Sequence, residues 1–144
     1  GLVLANGTDV TTDIRSIAVT SAVSTVAANS RVRANMRDRQ RMWSDLNRGG
    51  VIEGRDIGTV VFPDAVLKVY LTASPRVRAE RRVAEAGGDI DEIERSIAER
   101  DLKDSTRSDS PLQESADSVV VDTSNRSIED IVGSIVEIIV ERLK

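Results

Sequence analysis

The sequence predicts an α/β fold with a mainly parallel sheet. Short apolar runs at residues 51–52, 66–71 and 118–123 are typical of buried strands. The longer segments around them repeat apolar residues every three or four positions, and strands that alternate with helices indicate an α/β sheet. Only two or three strands are visible, fewer than such a sheet normally has, so the predicted sheet is incomplete.

The chain begins with a predicted hairpin and two predicted helices. The dipeptide Asn6-Gly7 is a strong signal for a two-residue turn between short strands. Apolar residues recur at helical spacing from residue 17 to about residue 46, and Asn29-Ser30 is expected to cap the second helix after a break. Arginines crowd this second helix: Arg31, Arg33, Arg37, Arg39, Arg41 and Arg48.

Glycine, proline and capping residues mark the later helices. Glycine pairs at 49–50 and 87–88 end two of them, and the Ser-Pro dipeptide at 74–75 begins one, because serine is a good N-cap and proline suits the first turn. A further helix is predicted from residue 89 to residue 101 or beyond. A Ser-x-x-Asp spacing at 127–130 resembles a capping box and predicts the start of an isoleucine-rich last helix.

The composition excludes several kinds of site. The chain has neither cysteine nor histidine, which excludes disulfides, zinc–thiolate sites and a Ser-His-Asp triad. It has 24 acidic and 20 basic residues, a net charge of −4 and three aromatic residues, so neither nucleic acid nor an anionic membrane is an expected partner. Chemistry must therefore depend on carboxylates, arginines, lysines, hydroxyls or a metal held by oxygen.

Arginine accounts for 17 of the 20 basic residues. Its planar guanidinium group binds a phosphate or a carboxylate through two nitrogens, whereas lysine is a point charge. Two explanations are open, a genome that favours arginine codons and a set of arginines around a phosphorylated ligand. The positions of the arginines along the chain decide between them.

The first motif with chemical meaning is EGRDIGTVVFPDA at residues 53–65. Gly54 and Gly58 allow tight turns after a strand, so Arg55 and Asp56 are expected at the carboxyl end of that strand. Ligands of open α/β sheets bind at this end. The alternative is a surface ion pair beside a turn.

The second motif is ERDLKDSTRSDSPL at residues 99–112. Arg100 and Asp104 are four residues apart, and Asp104 and Arg107 are three apart, so a helix would place the three side chains on one face. The alternative is a solvated ladder of ion pairs with no function. Between Asp101 and Ser110 only Leu102 is a large aliphatic residue, so little apolar area holds the segment down.

Together the motifs resemble those of the bacterial cytidylate kinases, which are nucleoside-monophosphate kinases of the P-loop type. The resemblance rests on GRDIGTVVFPDA, on TASP before an arginine-rich helix, and on RDxxDSxRxxSPL, in this order, and it runs from about Asp9 to the end. It implies a P-loop-kinase-type sheet with flanking helices. It also implies a monophosphate-binding hairpin and helix region at 1–48, and the remainder of the kinase core at 49–144 with a mobile helical lid at about 99–110.

The chain departs from that family in one respect. The family begins with a strand, a glycine-rich P-loop with its lysine, and a helix, but the pattern GxxxxGKS or GxxxxGKT occurs nowhere in these 144 residues. The P-loop cradles the phosphates of the donor nucleotide and helps to hold Mg²⁺. We therefore expect the chain to correspond to the C-terminal two-thirds of the enzyme and to be inactive alone.

The resemblance implies transfer of the ATP γ-phosphate to CMP or dCMP, with Mg²⁺ as the cofactor. It assigns four residues to the cytosine ring: Ser24, Arg33, Asp56 and Arg107. Arg55 would bind the acceptor phosphate, and Arg100 and Asp104 would lie near the ribose and the transferring phosphoryl group. Arg78 and Arg82 are candidates for the ATP side, with a solvated helix face as the alternative.

The implied enzyme is a cytoplasmic monomer at full length. Its catalytic residues would be Arg55, Arg100 and Asp104, and no metal ligand is expected within this chain. A different class of function stays open, namely a non-catalytic nucleotide-binding module or fragment in which the acceptor half of the site exists without a P-loop.

Overall fold

The computed structural model describes the backbone of all 144 residues and every side chain except those of Ile17, Thr20, Ser21 and Ser24. The chain divides into two compact units, Gly1–Gly49 and Gly50–Lys144. The elements in chain order are β1 (Leu4–Ala5), β2 (Thr8–Asp9), α1 (Ile17–Ala27), α2 (Ser30–Leu46), β3 (Val69–Thr72), α3 (Pro75–Ala86), α4 (Ile90–Thr106), β4 (Val119–Asp122) and α5 (Ile128–Arg142).

The first unit contains the predicted hairpin and two helices. Strands β1 and β2 pair in antiparallel fashion, and the turn residues Asn6 and Gly7 have φ angles of 51° and 82°. Two positive φ angles are what a type I′ turn requires, so the Asn-Gly signal is confirmed. The side chain of Asn29 accepts hydrogen bonds from the N–H groups of Arg31 and Val32, which confirms the predicted cap of α2.

The second unit is built on a two-stranded parallel sheet. Strands β3 and β4 pair in register from Val69 opposite Val119 to Thr72 opposite Asp122, and α3 packs against α4. Val61, Ala79 and Val121 are its buried apolar residues. The predicted α/β class with a small, incomplete parallel sheet is confirmed.

Local signals set the helix boundaries of this unit. Ser74 caps α3 by accepting a hydrogen bond from the N–H of Val77, and Ser127 caps α5 through the N–H of Asp130. Helix α4 begins after its cap Asp89 and continues to Thr106, so most of the second motif is helical. The predicted starts are confirmed because each depends on neighbours within three residues.

The strand prediction at residues 51–52 is wrong. These residues have no regular structure, and Val51 is 93% exposed. Among the described residues no strand pairs with them, and an apolar dipeptide forms a strand only where a ladder partner exists. The later strand starts at Val69 rather than residue 66, since Val69 is the first residue opposite β4. Between them, residues Ile57–Val61 form a single π-helical turn that the sequence did not indicate.

Candidate functional site

The two sequence motifs meet in the second unit. Nη1 of Arg55, in the loop after residue 54, donates a hydrogen bond of 3.0 Å to Oδ1 of Asp101 on α4. Nε of the same arginine lies 3.3 Å from Oδ2 of Asp104, one turn further along the helix. The first motif therefore contributes a guanidinium group that is held by two carboxylates of the second motif.

Asp101 also binds an arginine from α3. Nη1 of Arg78 donates to Oδ1 of Asp101 at 3.2 Å, and Nη2 of Arg78 donates to Oδ2, so the contact is bidentate. Partial burial raises the pKa of the Asp101 carboxyl, but the hydrogen bonds from Arg78 and Arg55 outweigh this effect and hold that pKa below its usual value. Asp101 is therefore ionised at neutral pH.

Asp104 lies at the centre of the predicted helical face. Its side chain is only 15% exposed, and it has Nη1 of Arg107 at 3.7 Å and Nε of Arg100 at 3.9 Å in addition to Arg55. The spacing argument for Arg100, Asp104 and Arg107 is thus confirmed as geometry. The ionic ladder is not fully solvated, because its central carboxylate is largely buried.

Arg107 follows the end of α4 and is 13% exposed. Its Nε donates to the backbone oxygen of Ser110 at 2.6 Å. Its Nη2 lies 3.9 Å from Oδ1 of Asp56 and, among the described atoms, has no hydrogen-bond partner although it is buried. A buried N–H donor beside a carboxylate is thus available to a ligand that enters here.

These seven side chains form what we call the arginine–aspartate cluster: Arg55, Asp56, Arg78, Arg100, Asp101, Asp104 and Arg107. Four guanidinium groups and three carboxylates leave one net positive charge. The carboxylates hold the cations close together, and the excess charge favours an anionic ligand. The arrangement is suited to a phosphate, which guanidinium groups bind through paired hydrogen bonds.

A second ionic contact anchors the loop that carries Arg55 and Asp56. Nζ of Lys68 donates to the backbone oxygen of Pro63 at 2.5 Å and to Oδ2 of Asp117 at 2.8 Å, and Lys68 is only 8% exposed. The hydrogen bond from Lys68 lowers the pKa of Asp117 to about 2. A Cβ atom on Gly58 would lie 3.4 Å from the Lys68 side chain, so the loop lies directly against the lysine. We refer to Lys68 and Asp117 as the lysine–aspartate pair.

Three further residues were predicted for the site. Arg33 belongs to the first unit, where its Nη1 donates to the backbone oxygen of Ala27 at 3.3 Å. The side chain of Ser24 is outside the described residues. Arg82 is exposed on α3. Their roles stay predictions, as do those of the clustered residues.

Sequence reasoning missed two residues that organise the site. Asp101 lies three residues before Asp104, so helical spacing places it on the same face, but only the position of α3 reveals its contact with Arg78. Lys68 is a lone cation within the apolar run at 66–71, and a lysine there signals either an edge strand or a buried partner.

The described residues provide neither a metal cluster nor a membrane span. No described group of three or more histidine, cysteine, aspartate or glutamate side chains is arranged to hold a metal ion. No helix in the described part of the chain is long and apolar enough to cross a membrane.

Comparison with known proteins agrees with the motifs. A sequence profile described as Cytidylate kinase matches residues 2–141. The "Bifunctional pantoate ligase/cytidylate kinase" of Trichormus variabilis is 48% identical over 145 residues, which cover 96% of this chain and 27% of that protein. The "Cytidylate kinase" of a Geobacillus species is 47% identical, with 99% of this chain and 65% of that protein covered. That of Corynebacterium efficiens is 44% identical, with 94% and 61% covered.

The chain is thus shorter than these relatives. It spans 27% of the bifunctional protein and 61–65% of the two proteins named only as cytidylate kinases.

Proposed function

Since the chain belongs to the cytidylate kinase family, we propose that it carries the acceptor site of a kinase that transfers the ATP γ-phosphate to CMP or dCMP. The products are CDP or dCDP and ADP. The observation that carries this proposal is the convergence of the two motifs in one arginine–aspartate cluster with an excess positive charge.

Arg55 is the proposed ligand of the acceptor phosphate. Its Nη1 and Nε are directed to Asp101 and Asp104, and this fixes the plane of the guanidinium group. Because the plane is already fixed, Arg55 loses less side-chain entropy when phosphate binds. Its remaining N–H groups can then donate to phosphate oxygens. The net charge of the cluster supports the same assignment.

Asp56 and Arg107 are the proposed readers of the cytosine ring. Cytosine presents an amino donor beside two acceptors, the ring nitrogen and the carbonyl oxygen. The carboxylate of Asp56 can accept from the amino group. The buried Nη2 of Arg107, which lies 3.9 Å from Oδ1 of Asp56, can donate to one of the two acceptors of the ring. Ser24 and Arg33 are proposed to complete the set.

Phosphoryl transfer needs positioning and charge stabilisation rather than a covalent intermediate. Arg100 is the proposed cation near the transferring group, with Asp104 holding it and contacting the ribose. Arg78, and more distantly Arg82, are proposed for the donor side. A chain with many arginines and without histidine or cysteine suits this reaction class.

The proposed reaction uses Mg²⁺ together with ATP. Asp101 and Asp104 are each engaged by arginines, and no third acidic side chain completes a metal cluster among the described residues. We therefore propose that Mg²⁺ arrives with the phosphates of ATP, and we assign no step through the metal to this chain. The 144 residues contain no P-loop pattern, and we propose no residue among them as the donor cradle.

A second candidate is a nucleotide-binding module without catalysis. The observation that favours it is the same missing P-loop pattern. Both candidates predict binding of CMP at the cluster, and only the kinase predicts CDP. In the kinase case, we further propose a cytoplasmic protein that acts as a monomer at full length on small nucleotide substrates.

A chimera tests whether the chain is part of a kinase or a non-catalytic nucleotide-binding module. The part of the Geobacillus cytidylate kinase that this chain does not cover is joined to the 144 residues, and CDP formation from CMP and Mg·ATP is measured. We expect CDP formation by the chimera, its loss in Arg55→Ala and its retention in Arg76→Ala. The control removes an exposed arginine of α3 whose partners are Glu80, Asp91 and Glu94. CMP binding without CDP formation would favour the non-catalytic module.

A further inference from the structure

We propose that Asp101 is a positioning residue that holds Arg55 and Arg78 side by side, so that the two guanidinium groups meet the nucleotide phosphates in one fixed geometry. The inference rests on the proposed function, because Arg55 is there the ligand of the acceptor phosphate. It adds a residue to which neither motif reasoning nor the family resemblance gave a role.

One carboxylate joins two cations from separate segments. Oδ1 of Asp101 accepts from Arg55 at 3.0 Å and from Arg78 at 3.2 Å, and Oδ2 accepts from the other terminal nitrogen of Arg78. Two guanidinium groups that share an oxygen atom lie within a few ångströms of each other. Their repulsion at that distance is offset mainly by the charge of Asp101, which lies between them, while Asp104 contacts only Arg55 of the two.

Partial burial of the three side chains strengthens the effect of the Asp101 charge on the two arginines. Arg55, Arg78 and Asp101 are about one-third exposed or less, so water screens the interaction only in part. Asp101 also connects three elements, namely the loop of the first motif, α3 and α4. It can therefore fix the position of Arg55 relative to Arg78 rather than merely neutralise one of them.

Asp101 and Asp104 have different roles. Asp104 contacts Arg100 and Arg107 as well as Arg55, so it belongs to the proposed substrate set. Asp101 forms ion pairs with Arg55 and Arg78, the arginines proposed for the acceptor and donor phosphates. Asp101 thus acts on the substrate through these two arginines.

Replacement of Asp101 by asparagine isolates this effect. The amide keeps the size of the side chain but removes its charge, and its NH₂ group meets an arginine N–H where the carboxylate accepted a hydrogen bond. Arg55 and Arg78 then lose the charge that they share, and only Arg55 keeps a carboxylate partner, Asp104. Binding of the phosphate should weaken, while binding of the base by other residues should not.

The experiment compares CMP with cytidine, which lacks the phosphate. Dissociation constants are measured at equilibrium for the full natural polypeptide that contains this chain, in the wild type, Asp101→Asn, Asp101→Glu and Asp91→Asn. Asp91→Asn is the matched control, because it removes another carboxylate of α4 whose partner is the exposed Arg76. We expect Asp101→Asn to weaken CMP binding about tenfold or more. We also expect cytidine binding to change less than about twofold, Asp101→Glu to restore part of the loss, and Asp91→Asn to match the wild type.

Two results would overturn the inference. One is unchanged CMP affinity in Asp101→Asn, and the other is an equal loss for CMP and cytidine, which a merely structural role would cause. Partial unfolding lowers the binding stoichiometry of both ligands alike, so the ratio of the two constants remains informative, and Asp101→Ser repeats the test if asparagine prevents folding. Failure of the proposed function gives a different result, since the wild type would then bind neither ligand.

Discussion

The lysine–aspartate pair and the arginine–aspartate cluster lie in the same unit, and they satisfy their charges differently. Lys68 is buried and its ammonium group is surrounded by acceptors from Pro63, Ser115 and Asp117, one of them a full counter-charge. The cluster instead carries an excess of one positive charge. Among its described atoms, Nε of Arg78 and Nη2 of Arg107 are buried without a hydrogen-bond partner.

We interpret this difference as that between a structural contact and a proposed ligand site. A buried polar group without a partner costs stability, so it persists where a ligand supplies the partner. The lysine–aspartate pair needs nothing further and stabilises the loop of the first motif. In our proposal an anion completes the cluster, and this is the physical reason for placing the acceptor nucleotide there.

The largest expected effect concerns catalysis by the cluster alone. The 144 residues should show no measurable CMP kinase activity, because without a P-loop cradle several kcal/mol of transition-state stabilisation are absent. A coupled assay for ADP compares the 144-residue chain with the chimera. Turnover by the short chain at a rate near that of the chimera would contradict an incomplete site.

The next effect concerns the unpartnered donor of the cluster. In the chimera, Arg107→Ala should raise KM for CMP roughly ten- to a hundredfold and leave KM for ATP nearly unchanged, since a charged hydrogen bond to a ligand is worth on the order of 1.5–3 kcal/mol. Steady-state kinetics with each substrate varied in turn measure both constants. Equal changes for CMP and ATP would mean that Arg107 supports the segment's fold instead of reading the base.

A third prediction concerns the segment at 99–110, which carries much of the cluster. Leu102, its one large aliphatic residue, is 63% exposed and contributes little apolar packing, whereas Asp101 and Asp104 form ion pairs with Arg55 and Arg78. Amide hydrogen exchange in the full natural polypeptide should be fast there without ligand. It should slow when CMP and a non-hydrolysable ATP analogue are both present. Protection in the empty protein equal to that of residues 131–139 in α5 would show a rigid element rather than a lid.

The smallest effect concerns the lysine–aspartate pair and depends on pH. Asp117→Asn removes the counter-charge of Lys68, so it should lower Tm without changing CMP affinity. The folded-state pKa of Asp117 is lowered to about 2, so its contribution to stability is present above its ordinary pKa of 3.8 and is lost as pH falls toward about 2. Melting curves should therefore show a Tm difference between variant and wild type at neutral pH that shrinks between pH 4 and pH 2. A difference independent of pH would exclude the ion pair as its cause.

What the sequence could predict here was local. The Asn6-Gly7 turn and the caps Asn29, Ser74 and Ser127 depend on backbone groups within three residues, and each is confirmed. The helical face of the second motif also follows from spacing alone. Local signals of this kind therefore predicted the helices and the helical face that carries Arg100, Asp104 and Arg107.

Contacts between distant segments could not be predicted from such local signals. The apolar dipeptide at 51–52 has no ladder partner among the described residues, and a ladder partner is a property of another segment. The role of Asp101 depends on Arg78, 23 residues earlier, and that of Lys68 on Asp117, 49 residues later. These pairings are tertiary, so only the fold reveals them.

The most direct test of the comparison is the shift in Tm that CMP induces in the full natural polypeptide. A ligand that binds only the folded state raises Tm by an amount that grows with the logarithm of the ratio of ligand concentration to dissociation constant, so at a fixed CMP concentration the shift reports the site separately from basal stability. We predict that Arg107→Ala abolishes most of the shift, whatever its ligand-free Tm, and that Asp117→Asn lowers the ligand-free Tm but keeps the full shift. A full shift in Arg107→Ala, or an equal loss of the shift in both variants, would contradict the division between a structural contact and a ligand site.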